Sequence, residues 1–251
     1  MDIPTEIFQL ILDRVDFLTQ IRLRQVDKRS HAKLVVHDFY AIDPKYLFLL
    51  TDKILLGHRH ITKLYVGCNK SITKISHMTI LTKLYAVYDC VIDDIQIANL
   101  NLTELYATGN PKITNVNHMI KLEILYADAL SGIGDVGIAN LNLTILNASY
   151  NPKITRVTHM HKLKILYARG FECGLSDAGI TNLKLDQVQL YSGSNPKITD
   201  GIDKNIFFRK PTQCRICFSI DFTSVEVAPK SIDEAPFFMV ICKQCANTIK
   251  I

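Results

Sequence analysis

From Asn110 to Ala127 the chain reads NPKITNVNHMIKLEILYA, and 41 residues later, from Asn151 to Ala168, it reads NPKITRVTHMHKLKILYA. A third version, NKSITKISHMTILTKLYA, begins 41 residues upstream of the first, at Asn69. Repetition at a short fixed period constrains a chain more than its composition does. A unit of this size cannot bury its apolar face alone, so it must stack on copies of itself. Dividing the chain at each leading aliphatic residue gives units of 20 to 22 residues that begin at Ile61, Leu81, Leu102, Leu122, Leu143, Leu163 and Leu185. The fourth position holds Leu64, Leu84, Leu105, Leu125, Leu146, Leu166 and Val188, and the sixth holds Val66, Ala86, Ala107, Ala127, Ala148, Ala168 and Leu190.

Asn69, Asn110 and Asn151 occupy the ninth position of alternate units, followed in the later copies by Pro111, Pro152 and, in the last, Pro196. This pattern resembles a leucine-rich repeat. The expected fold is therefore an α/β repeat: a solenoid with a parallel β-sheet on its concave face and one short strand per coil. The 41-residue echo comes from two unit types in alternation, one with NPKIT and HM, the other with a Gly-Asp phrase such as SGIGDVGIANLN. In the last copy Cys173, Leu175, Ser176, Asp177, Gly179 and Ile180 resemble the cysteine-containing repeats of F-box proteins. The asparagines and prolines read as structural, bonding and stiffening the turn after the strand.

Strand residues alternate between core and surface. With positions four and six inward, position five faces out: Tyr65, Tyr85, Tyr106, Tyr126, Asn147, Tyr167 and Gln189. Lys63, Lys83, Glu104, Ile124, Ile145 and Ile165 flank this row on one side, and Val87, Thr108, Asp128, Ser149, Arg169 and Tyr191 on the other. The surface so predicted is basic at its start and apolar toward its end. Tyr65, Tyr85, Tyr106, Tyr126 and Tyr167, with Asp128 and Arg169, are candidate partner-binding residues; the same tyrosines could instead only stack on one another. His77, His118 and His159 lie two coils apart, about 10 Å at sheet spacing, too far to share a metal, and read as side chains of the return path.

Both ends depart from the repeat. At the N-terminus Pro4 opens an amphipathic helix, and Leu18, Ile21, Leu23 and Val26 continue a helical hairpin. Ile3, Pro4, Glu6, Ile7, Ile11, Leu12, Leu23, Val26 and Lys28 resemble an F-box, although the aromatic residue that tends to follow is absent and the chain has no Trp. The resemblance implies docking to the Skp adaptor of a cullin–RING ubiquitin ligase through Pro4, Ile7, Leu10, Ile11 and Val15. The bland alternative is a helical cap on the first coil.

At the C-terminus CRIC, with Cys214 and Cys217, and CKQC, with Cys242 and Cys245, stand 24 residues apart. Such a pair of knuckles supplies four thiolates for tetrahedral Zn2+, with FTSVEV and FFMVI as strands of a ribbon between them. Four protein ligands leave no open coordination position, so the metal is expected to be structural. A RING finger needs eight ligands, and no histidine follows His161. The expected organisation is an F-box-like helical domain at 1–44, a linker or cap at 45–60, the solenoid at 61–205 and the zinc-binding ribbon at 206–251.

The formal charge of +5 is mild and unclustered, so nucleic acid is permitted as a partner but not demanded. No apolar run is long enough to span a membrane and no secretory signal opens the chain, so cysteines in a reducing compartment, the cytoplasm or a virion, are expected. Cys68, Cys90 and Cys173 lie in the solenoid with no base beside them, so no catalysis is expected. The expected function is a non-catalytic substrate-recognition subunit of a Skp–cullin–F-box ligase, or else a scaffold module without a ubiquitin role. The compact repeats rich in Ile, Asn and Lys also resemble those encoded by large amoeba-infecting DNA viruses.

Overall fold

The computed structural model describes residues 9, 12, 13, 17–25, 35–39, 47, 49–56, 58, 60–199, 222–227, 237–242 and 248–250. The chain divides into two compact units, one of Met1–Ile42 with Tyr46–Asp203 and one of Asp43–Lys45 with Lys204–Ile251. No helix among the described residues is long and apolar enough to cross a membrane.

The first unit is built on an eight-stranded sheet in chain order: β1 (Asp38–Phe39), β2 (Lys63–Tyr65), β3 (Lys83–Tyr85), β4 (Glu104–Tyr106), β5 (Ile124–Tyr126), β6 (Ile145–Asn147), β7 (Ile165–Tyr167) and β8 (Gln189–Tyr191). Every neighbouring pair is parallel. Leu64, Leu84, Leu105, Leu125, Leu146 and Leu166 lie side by side at the centres of their strands, fully buried, with Val66 and the sixth-position alanines equally buried behind them. Among the described residues the unit also has the short helices α1 (Phe17–Arg24), α2 (Asp52–Leu56), α3 (Asp94–Ile97), α4 (Asp135–Ile138) and α5 (Asp177–Ile180).

The chain leaves each strand from β2 to β8 by one device. Three residues past the strand, Cys68, Tyr88, Gly109, Ala129, Tyr150, Gly170 and Ser194 all have positive φ, from 53° to 91°. The residue after that is, in alternate units, a buried asparagine. Asn151 donates from Nδ2 to the carbonyls of Ala127 and Ile133 at 2.6 and 3.0 Å and accepts from the Lys153 amide at 2.9 Å. Asn110 does the same with Ala86, Ile92 and Lys112, and Asn195 with Ala168, Leu175 and Lys197. Asn69 reaches back to Leu47 and Leu50. The asparagines thus fasten each turn to the preceding unit as well as to itself.

The alternation of unit types has a physical cause in the return path. Asp135, at the start of α4, accepts from the amides of Thr155 and Arg156 and from the Thr155 hydroxyl. Asp52, Asp94 and Asp177 hold Thr73, Thr114 and Thr199 in the same way. The Asp phrase of one unit therefore grips the final Thr of the next unit's NPKIT phrase. On its other side α4 lies backbone to backbone on the unit before it: the Gly137 carbonyl accepts from the Val116 amide at 3.0 Å, and a Cβ on Gly137 would sit 2.1 Å from the Thr114 carbonyl oxygen. Gly179 repeats this against Thr155. In α3 a glutamine replaces the glycine, and its Oε1 accepts from the Ile75 amide instead.

Two readings of the sequence change. In the last unit Leu190 pairs with Leu166, and Tyr191 with Tyr167. Leu190 therefore takes the fourth position and Tyr191 the fifth, displacing Val188 and Gln189. The cause is an extra turn at Leu185–Gln187, closed by a bond from the Gln187 amide to the Lys184 carbonyl, which leaves Leu185 38% exposed. Upstream, Phe39, within the segment read as the F-box-like domain, pairs with Leu64 and adds a strand to the sheet, and Asp52, within the segment read as a linker or cap, is the first of the gripping aspartates.

At the N-terminus Leu12 is buried in the core, and Gln9 exchanges two hydrogen bonds with the Val35 backbone, at 2.8 and 2.9 Å. Pro4, Ile7, Leu10, Ile11 and Val15 lie outside the described residues. The second unit contains an antiparallel sheet in the order β11 (Thr248–Lys250), β10 (Phe237–Cys242), β9 (Phe222–Val227), in which Cys242 pairs with Phe222. FTSVEV and FFMVI are thus strands as read, and β11 is an addition.

Candidate partner-binding face

The fifth-position side chains form a ladder across the sheet. Ring centroids of Tyr85 and Tyr106 are 4.0 Å apart, of Tyr106 and Tyr126 4.7 Å, and of Tyr167 and Tyr191 4.9 Å, all stacked. Tyr65 and Tyr85 stand 6.0 Å apart and tilted. Parallel strands in register set this spacing, because adjacent backbones lie about 4.8 Å apart, close to the stacking distance of rings.

The ladder is not uniformly open. Tyr65 and Tyr85 are only 5% exposed and Tyr191 6%, so the ladder is largely shielded from solvent at its two ends. The Tyr65 ring lies down along its own strand: a Cβ on Gly67 would meet its hydroxyl at 2.5 Å and the Val87 side chain at the same distance. Lys83 lies over the rings of Tyr85 and Tyr106, and Arg169 over those of Tyr167 and Tyr191. Solvent reaches the ladder at its centre, where Tyr106, Tyr126, Asn147 and Tyr167 are all partly exposed.

That centre contains a break. Asn147 stands between Tyr126 and Tyr167 in the register, and its Oδ1 accepts from the Ser149 amide. The two tyrosines lean over it until their centroids are 6.4 Å apart, tilted by 34°. Beside the break Ile124, Ile145 and Ile165 pair strand to strand, each partly exposed. On the other side stand Asp128, which accepts from the Thr108 hydroxyl, Ser149 and Arg169.

The basic start read from the sequence is neutralised within the protein. Lys63 pairs with Asp38 at 3.2 Å and Lys83 with Glu104 at 2.8 Å, and Glu104 also accepts from the Tyr106 hydroxyl. Burial, then the neighbouring Tyr85 and Glu104, pushes the Tyr106 hydroxyl well above its ordinary range. Burial, then Tyr167, Asp128 and Glu104, pushes Tyr126 up to about 12. Both phenols stay protonated at physiological pH, and the Tyr106 O–H is the one given to Glu104.

Other candidates have structural roles. The His118 and His159 rings meet the Ile97 and Ile138 carbonyls of the preceding unit at 3.0 and 3.2 Å. Cys90 and Cys173 are buried, and burial raises both thiols, Cys90 to about 11, the opposite of an activated nucleophile. A recess of about 440 Å³ on the return side is lined by Thr114, Gly134, Asp135 and Lys153, and its acidic group is committed to Thr155 and Arg156. Cys214, Cys217 and Cys245 lie outside the described residues, as does the side chain of Cys242. Among the described residues no three His, Cys, Asp or Glu side chains gather as a metal site.

Sequence reasoning found the ladder and its flanking rows. It missed the left-handed residue after each strand, which no residue type marks, and the aspartate grip, which the recurrence of Asp52, Asp94, Asp135 and Asp177 could have revealed. No family model matches this chain, and no curated protein matches it.

Proposed function

We propose that this chain is a non-catalytic protein-interaction adaptor, built as a leucine-rich-repeat solenoid that holds a target protein on its concave face. The observation that carries this reading is the tyrosine ladder, fixed by strand register and partly exposed at its centre beside three isoleucines. Rigid aromatic and aliphatic side chains on a preorganised surface cost little entropy on binding and are typical interface anchors.

The N-terminal segment engages a Skp-type adaptor through Pro4, Ile7, Leu10, Ile11 and Val15, and the chain serves as the substrate-recognition subunit of a cullin–RING ligase in the cytoplasm. Its contribution is positional: holding the target near the ligase raises the effective concentration of target lysines. Cys214, Cys217, Cys242 and Cys245 hold a structural Zn2+, a reading supported by the antiparallel strands between the two knuckles. No step of the mechanism passes through that metal.

The test is a pull-down of the full chain with purified Skp adaptor. Retention that is lost in Ile7→Asp and Ile11→Asp supports the ligase assignment. Absence of retention by the unaltered chain refutes it and leaves a scaffold module, the alternative favoured by the missing aromatic residue after the F-box-like segment. Native mass spectrometry is expected to find one zinc per chain, lost in Cys214→Ser.

A further inference from the structure

Resting on the concave-face reading, we infer that recognition is centred on the break in the tyrosine ladder over Asn147, and that its occupant is an uncharged, extended segment of a partner protein that inserts one aromatic side chain there. Three observations converge. The strand sequences on either side are alike, ILY in β5 and β7, while β6 reads ILN, so the sheet itself does not require the shorter side chain. A tyrosine at this position would continue the stack, as Tyr106 does between Tyr85 and Tyr126.

The break has the dimensions of a flat group. The Tyr126 and Tyr167 centroids are 6.4 Å apart, and a ring sandwiched between two others needs about 7 Å at ordinary van der Waals contact. A small parting and rotation of two partly exposed rings admits one aromatic side chain, with Asn147 as its floor. The ends of the ladder offer no such place, since Tyr65, Tyr85 and Tyr191 are buried.

The surroundings fix the chemistry of the occupant. Ile124, Ile145 and Ile165 give an apolar strip alongside the slot, suited to aliphatic neighbours of the inserted ring. The lysines at the start of the sheet are paired with Asp38 and Glu104, and Asp128 and Arg169 bracket the slot with opposite signs. The face therefore carries no net field with which to recruit a charged ligand, and binding here is governed by apolar burial.

The experiment selects a displayed library of random linear peptides on the immobilised full chain. A fluorescently labelled selected peptide is then titrated against variants that keep the parent's unfolding midpoint. The expected peptides carry an aromatic residue with aliphatic neighbours and no net charge. Asn147→Tyr, which closes the slot, weakens binding by about tenfold or more, Ile145→Asp does likewise, and Asn147→Ala retains binding. Raising salt from about 50 to 500 mM changes affinity by less than about threefold, because no ion pair is made. Peptides indifferent to both Asn147→Tyr and Ile145→Asp but lost in Thr108→Arg overturn this inference and leave the concave-face reading standing, as does a charged consensus with steep salt dependence. A library that yields no peptide sensitive to any concave substitution overturns both.

Discussion

Replacing Asn151 by alanine tests whether the buried asparagines hold the units together. Asn151 is fully buried, and its side chain makes three bonds to backbone groups, two of them in the preceding unit. Alanine leaves the Ala127 and Ile133 carbonyls and the Lys153 amide without that partner. A buried polar group deprived of its partner costs about 1–3 kcal/mol, and the space vacated can admit a water that restores part of this. The expected loss is about 3–5 kcal/mol, a large share of the roughly 5–15 kcal/mol by which folded domains are stable. Asn142 is the control: it is exposed, accepts one bond from the Lys162 amide, and its alanine variant should stay within about 0.5 kcal/mol of the parent. Urea unfolding followed by circular dichroism compares the two, and hydrogen exchange at the Lys153 amide localises the effect. If Asn151→Ala loses less than about 1 kcal/mol, or no more than Asn142→Ala, the asparagines are not the fasteners described. Asn151→Asp sharpens the case, because it sets a carboxylate against two carbonyls. It should be unstable at neutral pH and recover, relative to the parent at the same pH, as acid protonates it.

Gly137→Ala should destabilise by about 2–4 kcal/mol despite alanine's better helix propensity, because its Cβ would meet the Thr114 carbonyl oxygen at 2.1 Å, whereas Val136→Ala in the same helix, where the side chain is 82% exposed, should be nearly neutral in thermal unfolding. Burial pushes the Asp52 carboxyl up, but hydrogen bonds from Thr73 and Lys74 outweigh it and hold the group below its ordinary value of 3.8. A depressed folded value means the stabilisation is present above that pH and is lost as pH falls below it; acid unfolding of Asp52→Asn should accordingly show a shallower limb than the parent, and an unchanged limb would count against the grip. Brief alkylation of the native protein with peptide mapping should modify the exposed Cys68 and spare Cys90 and Cys173, and equal labelling of the three would show that the core opens far more readily than its burial implies.

The strand positions were legible because burial imposes a strict alternation on them: Leu at four, a small residue at six, Tyr between. The last unit was misread where that alternation admits two registers. Val188 and Leu190 satisfy the pattern as well as Leu190 and Ser192, and only Asn195 and Pro196 show that two further residues have been inserted. The unit around Phe39 was missed because an aromatic residue stands where leucine was sought, although Asp52 keeps the spacing of the later aspartates. Exposure of the tyrosines could not be read from alternation alone. Whether a ring stands up or lies down depends on its neighbours, and the small Gly67 is what gives Tyr65 room to lie flat. The same reasoning separates scaffold from candidate site: a residue present in every unit is explained by stacking, and a departure in one unit, such as Asn147, needs another cause.

Stacking itself distinguishes the two unit types, so the true building block is the pair. An NPKIT unit presents an asparagine that fastens backward and a threonine for the aspartate behind it. The helical unit supplies that aspartate forward and a glycine on which the preceding backbone lies. Deleting residues 110–150, which is 41 residues, joins Gly109 to Asn151 and brings Thr155 to Asp94 and Asn151 to Ala86 and Ile92, so the aspartate grip and the asparagine fastening are both re-formed with equivalent partners. Deleting residues 110–129, which is only 20 residues, joins Gly109 to Leu130 instead. It removes Asn110 with its bonds, takes Thr114 from Asp94 and sets Asp94 beside Asp135. In a stack whose stability is a sum of neighbour interfaces, one mismatched interface uncouples the halves on either side of it. The pair deletion should therefore unfold in one transition with protected amides across the junction, and the single-unit deletion in two transitions with fast exchange there. Indistinguishable behaviour of the two would mean that the aspartate grip and the asparagine fasteners are decoration on a stack held by its leucines alone.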